Sequence, residues 1–167
     1  MKTLFFLFSF FLLFVSSCTS NNGQVIIDKP AGTENLGQSF RVTDNDICLS
    51  DGKPIIREFA TSWCPHCAWV KPVYQEVVKS YGDQIVAYQW EVDTNDNLLT
   101  EQLEFEVPAG EMNVFSDFNP DQTIPTFLFG CKYLRIGNAY EEQNDKEAEA
   151  KELKYIIDKL LNEVSEQ

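Results

Sequence analysis

The reactive atoms of this chain are concentrated in one pentad, Trp63-Cys64-Pro65-His66-Cys67. Two cysteines three positions apart on a helix lie about one turn from each other, so their thiols can close to a disulfide or open to a dithiol. Ile55 to Ala60, just ahead of them, is a short apolar run bounded by the turn signal Ser50-Asp51-Gly52-Lys53-Pro54 and reads as a strand. Beyond them the spacing changes: Val70, Val73, Tyr74, Val77, Val78 and Tyr81 recur at helical intervals as far as Gly82, a helix stop. Cys64 therefore stands where a strand hands over to a helix, with Pro65 at the first helical position. A thiolate there faces unpaired N–H groups and the positive end of the helix dipole, which stabilise it and make it the nucleophile. Cys67, one turn deeper, is the resolving thiol. His66 can bring a positive or hydrogen-bond-donating group to the Cys64 sulfur, and whatever stabilises that thiolate makes the disulfide more oxidising.

Two other uses of a CxxC compete. Half of a zinc site would need a second pair of Cys or His at similar spacing, whereas His66 is the single histidine and Cys48 and Cys131 stand alone, so no metal is expected. A purely structural disulfide fits poorly with the strand-to-helix setting and the Trp63 flank. The dithiol reads as redox-active and as its own cofactor, with no nucleotide or prosthetic group implied.

The rest of the chain is ordinary globular material. It has 167 residues, 44% hydrophobic and 23% charged, enough for one domain with a real core. Thirteen Lys and Arg against 26 Asp and Glu give a formal charge of −13, which argues against a nucleic-acid partner and against adsorption on an anionic membrane. Residues 1–17 form an address: Met1-Lys2, an apolar run from Leu4 to Val15 too short to span a bilayer, then Ser16-Ser17 before Cys18. Val15-Ser16-Ser17-Cys18 resembles the lipobox of bacterial lipoproteins, with Val15 where Leu is most common. That resemblance implies cleavage and lipidation at Cys18; a plain secretory signal is the alternative. Either route exports the chain to a compartment where disulfides persist. Residues 18–38 read as a lipidated cysteine and flexible tether, with Val25-Ile26-Ile27 a candidate edge strand, and residues 39–167 as the folded domain.

Three linked motifs make residues 39–164 resemble the thioredoxin superfamily. Trp63 to Cys67 matches the aromatic-CxxC active site, and Pro72 the proline that kinks the active-site helix. Thr123-Ile124-Pro125-Thr126-Phe127 matches the Ile-cis-Pro-Thr segment, whose backbone pairs with a substrate chain. Gly137 falls near the glycine of the last strand. Glu58 takes the place of the buried acid six residues before the first cysteine, and Gln89 that of the lysine which often partners it. The resemblance implies an α/β, three-layer thioredoxin-like sandwich, a central mixed β-sheet flanked by helices, with the cis-proline loop beside the CxxC. It also implies site roles: catalytic Cys64, Cys67, Pro65, His66 and Glu58, the last a base for Cys67 if buried, and substrate-binding Trp63, Ile124 and Pro125. Pro65-His66 is the dipeptide of the DsbA family of periplasmic oxidants, yet only 32 positions separate Asp93 from Pro125, too few for the helical domain that family inserts. In thioredoxin topology, Cys48 and Cys131 lie near each other as a possible structural disulfide, with two buried free thiols as the alternative.

The remaining elements follow from pattern. Gln84 to Val92 reads as a central strand, Leu98, Leu99 and Leu103 as a short helix, and Glu106 to Gln122 as an irregular loop. In that loop Met112, Val114, Phe115 and Phe118 either line a substrate groove or anchor the loop. Residues 126–129 and 132–136 read as a hairpin around Gly130-Cys131. From Asp145 an amphipathic helix follows, with Leu153, Ile156, Ile157, Leu160, Leu161 and Val164 inward and its Glu and Lys on a solvated face. The expectation is an exported, membrane-anchored, monomeric thiol–disulfide oxidoreductase that acts on protein thiols and disulfides and works with a membrane redox partner. A non-catalytic interaction module of the same fold is the alternative.

Overall fold

A computed structural model describes residues 36–166. The leader, Cys18 and the segment containing Val25 to Ile27 lie outside the described residues. Among those described, seven strands and three α-helices alternate along the chain: β1 (Arg41–Val42), β2 (Leu49–Ser50), β3 (Lys53–Ala60), α1 (Pro65–Tyr81), β4 (Val86–Glu91), β5 (Asp96–Asn97), α2 (Ala109–Phe118), β6 (Thr126–Phe129), β7 (Tyr133–Ile136) and α3 (Lys146–Ser165). The sheet order is β1-β7-β6-β3-β4-β5, with β2 hairpinned onto the start of β3. β3 is central, parallel to β4 and antiparallel to β6, so the sheet is mixed as expected.

Strand alternation decides what faces each helical layer. Ile56 of β3 joins the larger core with Val70, Tyr74 and Val77 of α1 and Leu153, Ile156, Ile157 and Leu160 of α3. Phe59, on the opposite face, stacks on Phe115 of α2 with ring centroids 4.6 Å apart and packs with Trp90 and Val107. The result is three layers: α1 and α3, the sheet, then α2. Gly82 caps α1 with φ +51, and the Asp145 side chain accepts the Ala148 N–H to start α3, both at the boundaries the sequence predicts.

Three expectations are overturned. Leu98, Leu99 and Leu103 form no helix: buried Asn97 accepts the Gln89 and Leu99 N–H groups through its side chain, which ties the segment into turns, and Leu103 is exposed. The irregular loop over 106–122 contains α2, which starts behind Pro108. The carboxylates of α3 are not all solvated. Glu149 and Glu152 are fully buried: Glu149 pairs with Arg135 of β7, and Glu152 accepts from the Gly37 N–H and the Ser39 N–H and hydroxyl. Buried anions need partners, and these reach α3 from elements distant in the chain. Cys48 and Cys131 are joined by a disulfide.

Candidate active site

Cys64 is the N-cap residue of α1, and its sulfur accepts the Cys67 backbone N–H at 3.2 Å. Pro65 opens the first turn, where no N–H is needed. Both thiols are free and buried, 4% and 3% exposed, and they pack with Ala60 at the end of β3 and with Ile124. Burial and the hydrogen bond with Cys64 push the Cys67 thiol up, so Cys67 needs a base before it can attack. The loop feeding the helix is held from outside: Asp93 accepts the Ser62 N–H at 2.9 Å and the Ser62 hydroxyl at 2.6 Å. Trp63, next to Cys64, is 72% exposed and free to meet another chain.

The expected base lies beneath. Glu58 is fully buried in β3, between Gln89 of β4 and Phe127 of β6 in register. Desolvation by burial pushes its carboxyl up to about 8, against the hydrogen bond that Gln89 donates to Oε2 at 2.6 Å and the fields of Arg135 and Lys71. Gln89 is fixed in turn by the Gln75 side-chain amide of α1, which donates to it at 2.7 Å. Oε1 of Glu58 has no hydrogen-bond partner among the described residues. A carboxyl that titrates near neutrality inside an apolar layer can take a proton and return it. A small cavity lined by Thr61, Cys67, Lys71 and Gln89 adjoins this region.

The Ile124–Pro125 peptide is cis, and the Pro125 carbonyl accepts the Gly137 N–H at 2.8 Å. Gly137 has φ +82, a backbone setting natural to glycine. An open cleft runs beside this proline, lined by His66, Ile124, Pro125, Asn138, Glu141 and Glu142. The structure thus brings Cys64, Cys67, Pro65, Glu58, Ile124 and Pro125 together. It decides one alternative and corrects one detail. Of the two roles open to Met112, Val114, Phe115 and Phe118, anchoring is the one found: they fasten α2 to the sheet, with Val114 and Phe118 also covering the Cys48–Cys131 disulfide. The polar contact of His66 is with Glu141, not with the Cys64 sulfur: Nδ1 lies 2.9 Å from both carboxylate oxygens. Glu141 was invisible in the sequence, because nothing in its spacing links the segment before α3 to the dithiol.

Comparison with known proteins gives concordant results. The thioredoxin family model matches residues 40–109. A thioredoxin of Mycolicibacterium smegmatis is 31% identical over 86 residues, half of this chain and 77% of that protein. A bifunctional thioredoxin reductase/thioredoxin of Mycobacterium leprae is 31% identical over 79 residues, and the chain spans 17% of its length. Among solved structures, reduced DsbA1 from Neisseria meningitidis superposes with a TM-score of 0.55 at 21% identity, covering 83% of this chain and all of that one; at that identity the likeness speaks for the fold. With the strand-to-helix dithiol, the cis-proline and the buried acid all in place on that fold, the chain belongs to the thioredoxin family of thiol–disulfide oxidoreductases.

Proposed function

We propose that the protein exchanges disulfides with protein substrates in the cell envelope, tethered to a membrane through a lipidated Cys18 and recharged by a membrane redox partner. The observation that carries the chemistry is the capped Cys64 sulfur beside cis-Pro125, with a second thiol one turn below it. In the oxidising direction, a substrate thiolate attacks the Cys64–Cys67 disulfide at Cys64 and displaces Cys67 as thiolate. A second substrate thiolate then attacks the substrate sulfur of the mixed disulfide, which leaves the substrate oxidised and the dithiol reduced. In the reducing direction the Cys64 thiolate attacks the substrate disulfide, and Cys67 closes on Cys64. Glu58 takes the Cys67 proton in that closing step. The backbone before Pro125 and the exposed Trp63 hold the substrate chain in either case.

The composition of residues 19–38, rich in Thr, Ser, Asn, Gly and Gln, supports the tether, and the leader ahead of Cys18 supports export.

The test is equilibration of the purified full-length chain, in mild detergent, against glutathione buffers. A potential near about −120 mV assigns it to disulfide formation, and one near about −270 mV to reduction. Failure of Cys64 and Cys67 to form a reversible disulfide sinks the oxidoreductase reading. Cys64→Ala is expected to abolish turnover. Cys67→Ala is expected to trap mixed disulfides, visible as adducts on non-reducing gels.

A further inference from the structure

The contacts of His66 point to a residue that controls the site without touching the reacting atoms. Rested on the dithiol reading above, we infer that Glu141 is a positioning residue which holds the His66 imidazole against the Cys64 thiolate's pull and so makes this protein a weaker oxidant than its Cys-Pro-His-Cys sequence implies.

The geometry of Glu141 is not that of a loose surface glutamate. Both its carboxylate oxygens lie 2.9 Å from His66 Nδ1. The Asn138 side-chain amide donates to Glu141 Oε2 at 2.8 Å and to the His66 carbonyl at 2.9 Å, which ties carboxylate and active-site turn into one ring of contacts. The segment carrying Glu141 is fastened along its length. The Gly137 N–H binds the Pro125 carbonyl. The Ala139 and Tyr140 N–H groups both donate to buried Glu149 at 3.0 Å. The Asn144 N–H donates to the Glu141 carbonyl, and the Trp69 indole N–H of α1 donates to the Asn144 side chain. A carboxylate held this way pays little conformational entropy to keep its partner.

The consequence follows from charge. Exchange runs through a thiolate at Cys64, and the imidazole two positions along the chain is held by Glu141. While Glu141 holds the ring, the imidazole N–H is directed to the carboxylate and not to the sulfur, and the carboxylate brings negative charge to the side of the site where a thiolate forms. The dithiol is then less favoured, and the equilibrium of the dithiol with oxidised glutathione, giving protein disulfide and two glutathione thiols, moves towards the disulfide. Because His66 is 62% exposed at its side chain, solvent moderates the effect. Removing the carboxylate should change that equilibrium constant by about three- to tenfold, roughly 15–30 mV. Glu142 lines the same cleft, while the carboxylate that pairs with His66 is that of Glu141, so Glu142 reports the generic effect of removing one negative charge.

The experiment is a double-mutant cycle on the full-length chain in mild detergent: wild type, Glu141→Gln, His66→Ala and the pair, with Glu142→Gln as control. Each is equilibrated with glutathione, and Cys64 alkylation by iodoacetamide is timed at pH 6. Glu141→Gln is expected to become more oxidising by the stated factor and to alkylate faster. In the His66→Ala background the same change should have no larger effect than Glu142→Gln has in the wild type. An equal shift in both backgrounds, or none in the wild-type background, overturns the inference and leaves the oxidoreductase reading standing. Absence of any reversible Cys64–Cys67 disulfide in the wild type overturns both.

Discussion

Glu58 shows how one residue ties stability to chemistry. Its carboxyl titrates near 8 in the fold and near 4.5 in an unfolded chain. Between those values the folded state holds a proton that the unfolded state has released, so stability falls as pH rises through this window. The slope is at most about 1.4 kcal/mol per pH unit. Below pH 4.5 both states are protonated and the dependence from this group vanishes. Glu58→Gln keeps the size and the polar contact with Gln89 but removes the titration. It should flatten the stability profile between pH 5 and 8 and raise stability at pH 8, read by urea unfolding at each pH. Closure of Cys67 on a mixed disulfide should slow by about a hundredfold, the low end of what a lost general base costs. A Glu58→Gln protein with an unchanged pH profile would show that this carboxyl is charged in the fold.

At the scale of elements, the sequence disclosed whatever a repeating pattern or a local cap encodes. The strand-to-helix handover at Cys64, the β6–β7 hairpin and α3 all carry runs of apolar residues at a definite period, and each lies where that pattern puts it. α2 carries none: Phe115 is its one buried side chain, Gly110 sits in its first turn, and no side chain caps its start. Its reason for being helical is tertiary. Glu111 accepts from Arg57 Nε and Nη2 at 2.7 and 2.8 Å and from the Trp90 indole N–H at 3.1 Å, reaching two strands that sequence reading cannot align with it. The Glu141–His66 pair and the burial of Glu149 and Glu152 escaped for the same reason: a partner's identity fixes each, with no local signal. Arg57 is 5% exposed at its side chain, so Glu111→Ala would leave a nearly buried cation unpaired and should cost about 3 kcal/mol. Urea unfolding measures this, and retained wild-type stability would mean that α2 is held by Phe59 and Phe115 alone.

Over the whole molecule, the two cysteine pairs divide labour along β3. The dithiol stands beyond its C-terminal end. Cys48 meets Cys131 at the other end, where the Cys48 N–H binds the Gly130 carbonyl and the Cys48 carbonyl accepts the Ile55 N–H. Five residue-to-residue steps of extended strand from Ile55 to Ala60 separate the two sites by roughly 15 Å or more, too far for thiol–disulfide exchange within one folded chain. The Cys48–Cys131 bond is packed beneath Val114 and Phe118, with Arg57 Nη1 at 3.9 Å from the Cys131 sulfur. It links positions 83 residues apart, a span for which constraint of the unfolded chain is worth at most about 4.5 kcal/mol. Replacing both cysteines by serine should therefore lower unfolding stability by about 2–4 kcal/mol while leaving the glutathione equilibrium of Cys64 and Cys67 unchanged. A shift in that equilibrium would mean the two ends of β3 communicate, whereas unchanged stability would mean that the unfolded chain is already compact around this pair.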